Sequence, residues 1–197
     1  MDNFERFIVE NEGADTVRLV MSRRVWPAPG DPGLAGLDAK SLAIKTIEGR
    51  RRLRKKLPEW VVCTGLVYPS SLCAEQCSSS DTARYKALII QRIFNEYVGS
   101  GASTSSATER IMVTEPVGVT TTTATENNPV TEPAGVTSGT RKAGKIADLT
   151  GGLGVDSWAF SKVAGEVLYN EMNPELAAAA RHNFKELGVT NIFIKNQ

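Results

Sequence analysis

The stretch KIADLTGGLGVDSWAFSKVAGEVLYNEMN, residues 145–173, is typical of a strand, a glycine-rich turn, a helix and a second strand. A short apolar run predicts the first strand over residues 146–150, and the helix is predicted over 157–164. The second strand is predicted over residues 167–171 and ends in an acid. Such a βαβ unit holds a nucleoside-type ligand beyond the carboxyl ends of its strands, so this stretch is the candidate site of the chain.

The glycines of the turn limit the class of ligand. Gly151, Gly152 and Gly154 allow the backbone to turn tightly and to approach a ligand, with the amides of the following helix facing it. The dinucleotide fingerprint G-x-G-x-x-G would place its third glycine at Ser157, so that fingerprint is incomplete. A phosphate-binding P-loop fails because no Gly-Lys-Ser/Thr closes the loop.

Two acids flank the turn. Asp148 precedes it, and Glu171 ends the second predicted strand, where an acid is available for ribose hydroxyls. This pattern resembles motif I and the following acidic motif of class I S-adenosylmethionine-dependent methyltransferases, although Thr150 stands where that family more often has its first glycine. The resemblance implies that Glu171 holds the ribose and that the glycines pass the methionine part of the cofactor. The cofactor-binding residues that it implies are Asp148, Thr150, Gly151, Gly152, Gly154, Asp156, Glu171 and Met172.

Two segments resemble one bacterial group of that family. DLTGGLGVDS, residues 148–157, is similar to methyltransferases of the THUMP-like-domain group and, more distantly, to a 16S ribosomal RNA guanine-N2 methyltransferase family. EQCSSSDTARYKA, residues 75–87, resembles a segment that precedes the methyltransferase fold in the THUMP-like group. Helix capping by its serines and Asp81 explains part of this second segment without any function. Arg84 and Lys86 are candidates for contact with an RNA or with the cofactor cleft.

Composition excludes several classes of protein. The chain has 197 residues, 41% of them hydrophobic, and a net charge of +1, which gives no global attraction to nucleic acid or membranes. No apolar run is long enough to span a bilayer, and the first residues show no secretory signal. The cysteines, Cys63, Cys73 and Cys77, are odd in number and lack a framework spacing, which favours a reducing, cytoplasmic location. They also lack enough nearby ligands for a metal, so no metal site is predicted.

Residues 1–98 are interpreted as a helical module. Asp2 and Glu5 form a capping-box pattern, and a second amphipathic helix is predicted from Asp15 towards Val25. A third helix is predicted from Asp38 until Pro58 ends it, and a last one is capped near residue 80 or 81.

A basic segment lies within this module. Residues 50–56, RRRLRKK, carry six positive charges in seven positions: Arg50, Arg51, Arg52, Arg54, Lys55 and Lys56. Such a cluster is an electrostatic footprint for the phosphates of an RNA substrate. A solvated helix end whose cations interact with the helix dipole explains it equally well, and both interpretations stay open.

Residues 99–144 differ in kind from the rest of the chain. They are rich in Gly, Ser, Thr, Val and Pro, and VTEPVGVT at 113–120 is echoed by VTEPAGVT at 130–137. Low complexity and few aromatic residues predict a disordered linker, with a marginal hairpin as the alternative. A flexible coil of this length would separate its ends by about 35–40 Å and uncouple the two halves of the chain.

Residues 173–197 predict one more helix and strand. Asn173 is an N-cap, Pro174 takes the first helical position, and Gly188 ends the helix. His182 on this helix is assigned no catalytic role because a lone helical histidine without cysteine or acid partners is usually a surface or packing residue. A third strand is predicted over 191–195, and right-handed crossovers place the strands in the order 3-2-1, leaving strand 1 with an unpaired edge.

The fold class expected is therefore α/β: an all-α module, a disordered linker over 99–144, and from 145 the first half (βαβαβ) of a Rossmann-like methyltransferase sheet. The resemblance implies an S-adenosylmethionine-dependent methyltransferase that acts on RNA, with guanine N2 as a candidate atom. The chain ends at Gln197, before the Asp-Pro-type catalytic motif of the resembled group, so a truncated product with weak or no activity is expected. The alternatives are a non-catalytic RNA- or protein-binding module with a remnant nucleotide-binding βαβ unit, and a binder of another nucleoside.

Overall fold

The computed structural model describes residues 1–22, 24–99, 111–114 and 144–197. Its first part is helical, and its last part alternates strands and helices, so the fold is α/β. The helices are α1 Asn3–Glu10, α2 Thr16–Met21, α3 Ala39–Leu53, α4 Pro58–Val62, α5 Ser71–Gln76, α6 Ser80–Gly99, α7 Val155–Phe160 and α8 Pro174–Glu186, with a short 3₁₀ turn at Pro32–Leu34. The strands are β1 Ile111–Thr114, β2 Lys145–Asp148, β3 Glu166–Asn170 and β4 Ile192–Lys195.

These four strands form one parallel sheet in the order β1-β2-β3-β4. Asp148 at the end of β2 is in register with Tyr169 of β3, and Asn170 at the end of β3 is in register with Lys195 of β4. Parallel strands end at one edge of the sheet, so the residues that follow β2, β3 and β4 are brought together there.

Strand β1 corrects two expectations from the sequence. Ile111–Thr114 lies in the tract predicted to be a disordered linker, yet it forms a strand that pairs in parallel with β2, Ile111 with Lys145 and Thr114 with Asp148. The edge of β2 that was expected to be unpaired is therefore paired by this segment. The sequence IMVT is suited to the role because β-branched and apolar residues favour strands. The rest of the predicted linker, including both repeats beyond Thr114, lies outside the described residues.

The helical part and the sheet share a hydrophobic core, so the expectation that the two halves are uncoupled was wrong. Leu57 and Trp60 near α4 and Ile90 of α6 belong to the same buried cluster as Ile146 of β2 and Phe160 of α7. Burial of apolar surface from both parts stabilises them together. The boundaries at 98/99 and 144/145 remain predictions.

Several elements end earlier than the sequence predicts. Helix α2 stops at Met21 because Ser22 has an extended backbone, with a φ of −73° and a ψ of 142°, and Val25 beyond it is 92% exposed. Helix α7 spans Val155–Phe160 rather than 157–164, since it begins directly after Gly154. Strand β2 ends at Asp148 rather than at 150 because the Thr150 amide donates to the Asp148 carboxylate instead of to a neighbouring strand. Among the described residues no helix combines the length and apolar character needed to cross a bilayer.

Candidate functional site

The glycine turn joins β2 to α7 and is held in a conformation that requires glycine. Gly152 has a φ of 54° and Gly154 a φ of 85°, which is the left-handed region where a side chain is strained. The Gly154 amide donates to the carbonyl of Gly151 over 2.7 Å and closes the turn. A Cβ on Gly151 would overlap the Tyr169 ring, and one on Gly154 would overlap the Phe184 ring.

Tyr169 and Phe184 form the support of this turn. Their rings meet edge to face, with centroids 5.5 Å apart and an interplanar angle of 83°. The Tyr169 hydroxyl donates to the carbonyl of Gly152 over 2.6 Å, and the Tyr169 side chain is completely buried. Burial raises the pKa of the Tyr169 phenol, so it stays protonated as a donor. Neither residue was predicted to belong to the site, although Leu176, Ala180 and Phe184 recur at helical spacing and indicate a packed face of α8.

Glu171 follows β3 directly, and its carboxylate faces the glycine turn. Oε2 accepts a hydrogen bond from the amide of Gly152 at 2.9 Å, and Oε1 accepts one from the amide of Asn173 at 2.8 Å. The structure therefore brings the predicted ribose-binding acid to the predicted turn. Two backbone donors fix the orientation of the carboxylate without using all of its acceptor capacity, since an ionised carboxyl group has about four acceptor positions.

Asp148 lies beneath the turn and is 6% exposed. Its Oδ2 accepts from the Ser157 hydroxyl at 2.6 Å, and its Oδ1 accepts from the Thr150 amide at 3.3 Å. Burial is the main cause that raises the pKa of Asp148, and the nearby Asp156 adds to this effect while Lys86 opposes it. Ser157, which stands at the third glycine of the incomplete dinucleotide fingerprint, thus serves as a hydrogen-bond donor to this acid.

Asp156, in the first turn of α7, faces the helical module. Its Oδ2 accepts from the Lys86 ammonium at 2.7 Å and from the Ser78 hydroxyl at 3.0 Å. Its Oδ1 is buried and has no hydrogen-bond partner within the described part of the chain. Both Ser78 and Lys86 belong to the segment 75–87, so the structure gives this segment a place beside the glycine turn. Arg84 of the same segment is exposed.

The remaining predicted site residues lie at the rim of the turn. Thr150 is exposed, and the Met172 side chain is 80% exposed directly after Glu171. Leu149, which was not among the predicted site residues, precedes Thr150 and is 40% exposed. Leu149 and Met172 follow neighbouring strands and give this end of the sheet two apolar side chains that a flat ring could contact.

Most cations of the basic segment bond to other residues of the same chain. Arg50 is 3% exposed and donates to the carbonyls of Val61 at 2.8 Å and Cys63 at 3.2 Å. Four more of its cations have acceptors: Arg51 bonds to the carbonyls of Glu12 and Ala14, Arg52 pairs with Glu75, Arg54 pairs with Glu12, and Lys56 bonds to the carbonyl of Glu75. Lys55 is exposed. Contact between this segment and RNA stays a prediction.

His182 has two partners that are distant in sequence. Its Nδ1 lies 2.7 Å from the carboxylate of Asp31, and its Nε2 lies 2.8 Å from the carbonyl of Gly65. Both partners are acceptors, so both contacts are satisfied together only when the imidazole is protonated. The hydrogen bond from His182 lowers the pKa of Asp31. These contacts join α8 to two loops of the helical module.

Two cavities lie away from the glycine turn. An open groove of about 450 Å³ runs between α8 and β4 and includes Arg181, Lys185 and Phe193. A second cavity of about 260 Å³ lies beside His182 and Asp31. Across the ranges that the structure describes, no group of three His, Cys, Asp or Glu side chains is placed to hold a metal.

Comparison with solved structures shows a protein of similar fold. No model of a known protein family matches the chain, and no curated protein matches it. The chain is similar to the crystal structure of a "putative methyltransferase" from Porphyromonas gingivalis W83, with a TM-score of 0.58 and 24% sequence identity. The match covers 98% of this chain and 33% of the solved one, so this chain spans about a third of that protein's length. The similarity shows that the two share an α/β fold.

Proposed function

We propose that this chain carries the cofactor-binding part of a class I S-adenosylmethionine-dependent methyltransferase. The observation that carries the proposal is the hydrogen bond of 2.9 Å between the Glu171 carboxylate and the amide of Gly152. It fixes an acid at the end of β3 beside the glycine turn after β2, where a ribose binds in sheets of this kind. The fold shared with a protein described as a methyltransferase supports the same conclusion.

The acceptor capacity of Glu171 matches a ribose. Its two oxygens already accept from the amides of Gly152 and Asn173, which leaves about two of its four acceptor positions for the two vicinal hydroxyls. Because protein amides hold the carboxylate in place before a ligand arrives, little ordering cost remains at binding.

The charges around the turn favour a cationic ligand over a phosphate. Three acids lie there, Asp148, Asp156 and Glu171, and Lys86 is bonded to one of them. A pyrophosphate would be repelled by the buried Asp148 beneath the turn, whereas a sulfonium or an α-ammonium group would be attracted. This distribution favours S-adenosylmethionine over NAD and nucleoside triphosphates.

Ser157 adds a second argument against a dinucleotide. The fingerprint has glycine at this position so that helix and strand pack closely. Here a completely buried serine donates to Asp148 instead, which keeps an acid where a dinucleotide needs backbone donors.

The chemistry divides simply between cofactor and protein. S-adenosylmethionine supplies a methyl group already activated by its sulfonium, so the protein has mainly to position donor and acceptor. In this chain Glu171 would orient the ribose, and the turn supported by Tyr169 would set the distance between backbone and ligand. The described residues include no group assigned to the methyl acceptor.

RNA as the methyl acceptor is a further part of the proposal. It is supported by the resemblance of residues 148–157 and 75–87 to the THUMP-like-domain group, and guanine N2 by the more distant resemblance of 148–157. The three free thiols, Cys63, Cys73 and Cys77, support a cytoplasmic location. Filter binding of a structured RNA at increasing salt tests the RNA part, since contact with phosphates steepens the loss of affinity.

Isothermal titration with S-adenosylmethionine and with NAD, in parallel, tests the cofactor. We expect saturable binding of S-adenosylmethionine alone. Glu171→Gln removes the charge and one acceptor, so it is expected to weaken binding roughly 10- to 100-fold. Glu175→Gln, at an exposed acid in the first turn of α8, is the matched control and is expected to bind like the wild type. Tighter binding of NAD, or wild-type affinity in Glu171→Gln, would contradict the proposal.

A further inference from the structure

A lysine of the helical module forms a closed set of hydrogen bonds with the helix that follows the glycine turn. The Lys86 ammonium lies 2.7 Å from Oδ2 of Asp156 and 3.0 Å from the Ser78 hydroxyl, which itself donates to the same Oδ2 over 3.0 Å. Lys86 lies on α6 and Ser78 just before it, more than sixty residues away from Asp156 in sequence. The contact therefore connects the first part of the chain to the candidate site.

The Asp156 carboxylate has Lys86 as its cationic partner. Its side chain is 26% exposed, and its second oxygen, Oδ1, is buried without a hydrogen-bond partner in the described part of the chain. Removal of Lys86 would leave a partly buried carboxylate with a single hydroxyl donor, and an unpaired buried charge strongly destabilises its surroundings. Those surroundings are the first turn of α7, two residues after Gly154.

Lys86 also acts on the second acid at the turn. Its charge lowers the pKa of Asp148, which burial and the neighbouring Asp156 raise. Two carboxylates close together repel each other, and a cation placed beside them offsets part of that repulsion. Among the described residues, Lys86 is the base whose charge acts on Asp148 in this way and also bonds to Asp156.

We infer that Lys86 is a positioning residue of the cofactor site: through Asp156 it holds the glycine turn in the conformation that binds the cofactor. Its effect on cofactor affinity rests on the proposed function, whereas its effect on the turn does not. The inference gives the helical module a part in the site and assigns to the segment 75–87 a role other than contact with RNA.

Four variants test the inference: Lys86→Met, Asp156→Asn, the double variant of both, and Lys55→Met as the control at an exposed lysine. Two measurements are made on each full-length protein. Hydrogen exchange without ligand reports the opening of residues 150–158, and isothermal titration with S-adenosylmethionine reports the dissociation constant.

We expect Lys86→Met to speed exchange in residues 150–158 and to raise the dissociation constant roughly tenfold, because apparent affinity falls with the fraction of molecules whose turn is in the binding conformation. The double variant should recover part of both losses, because the neutral amide that replaces the Asp156 carboxylate leaves no unpaired charge. A general loss of stability would speed exchange throughout the described part of the chain rather than in residues 150–158 alone. Lys55→Met should match the wild type in both measurements.

Two outcomes overturn the inference: exchange and affinity in Lys86→Met that equal those of the wild type, or a double variant weaker than Lys86→Met. If the wild type itself binds no S-adenosylmethionine, the proposed function fails, and the exchange of the ligand-free variants still decides whether Lys86 holds the turn. Unchanged exchange at 150–158 would then reject the role of Lys86 as well.

Discussion

The Tyr169 hydroxyl donates a hydrogen bond of 2.6 Å to the carbonyl of Gly152, from a side chain that is completely buried. The same ring lies against Gly151, so one side chain of β3 supports the turn that follows β2. The turn is therefore held from below by the tyrosine and from the side by the Glu171 carboxylate.

Tyr169→Phe should lower the free energy of unfolding by about 1 kcal/mol, because the carbonyl of Gly152 loses its buried donor while the ring is kept. It should also weaken the binding of S-adenosylmethionine, since Gly152 is then less firmly placed. Urea unfolding and isothermal titration measure the two effects. Tyr85→Phe, at a side chain that is 65% exposed, is the control and should leave both unchanged. Equal behaviour of the two variants would show that the hydrogen bond does not hold the turn.

Asp148→Asn should stabilise the ligand-free protein at neutral pH and weaken its affinity for the cofactor. Burial raises the pKa of Asp148 in the folded state above its value in the unfolded state, so the folded state binds the proton more tightly. The free energy of unfolding therefore falls as pH rises from the unfolded-state pKa to the folded-state pKa. A cationic ligand prefers the ionised acid, so wild-type affinity should fall as pH drops through the same pKa. Thermal unfolding at pH 7 measures the expected gain in stability of the variant. Cofactor titrations between pH 4 and 7 measure the expected loss of wild-type affinity at low pH. If the affinity of Asp148→Asn for the cofactor changed with pH as that of the wild type does, Asp148 would not be part of the site.

Arg50→Met should lower the free energy of unfolding by about 2–4 kcal/mol, because it removes a buried cation that bonds to two carbonyls and lies 3.7 Å from Glu12. Lys55→Met, five positions on and exposed, should change it by less than about 0.5 kcal/mol. Urea unfolding of both variants makes the comparison. If Arg50→Met did not change the free energy of unfolding, the basic segment would be free to bind an external partner.

Asp31→Asn should reduce stability more at pH 6 than at pH 3. His182, with the Gly33 amide, holds the pKa of Asp31 below its ordinary value of 3.8. The carboxylate therefore contributes stability that is fully present above the unfolded pKa and is lost as pH falls through the lower folded pKa. Urea unfolding at pH 3, 4, 5 and 6 measures the difference. Glu96→Gln, at an exposed acid away from any helix N-terminus, is the control. If the loss of stability in Asp31→Asn were the same at every pH, the contact with His182 would not contribute to the pH dependence of stability.

Proline at both Met112 and Val113 should expose β2. One of the two amides faces β2 in any strand register, so the double change removes a ladder hydrogen bond and is expected to cost roughly 1–3 kcal/mol. Hydrogen exchange of residues 145–148 should rise. Threonine at the same two positions keeps the amides and the strand preference, so it is the control. Unchanged exchange in the proline variant would show that β1 does not protect the sheet.

The helices and strands around the site could be predicted from the sequence because local signals there are strong. The Asn173 cap and Pro174 begin α8, and the Gly152 and Gly154 positions define a turn that few other residues can adopt. The position of Glu171 after a strand was predictable too, since strand and acid are contiguous in the chain.

The tertiary structure decides which residues that are distant in sequence come into contact. The contacts of Lys86 with Asp156, of Tyr169 with Gly152 and of His182 with Asp31 join residues far apart in the chain, and no periodicity encodes them. The pairing of Ile111–Thr114 with β2 is of the same kind: its own segment is low in complexity, and the open edge of a neighbouring strand supplies the hydrogen bonds that make it a strand. Local preference acts within a few residues, whereas burial and hydrogen bonding are satisfied only by the tertiary structure as a whole.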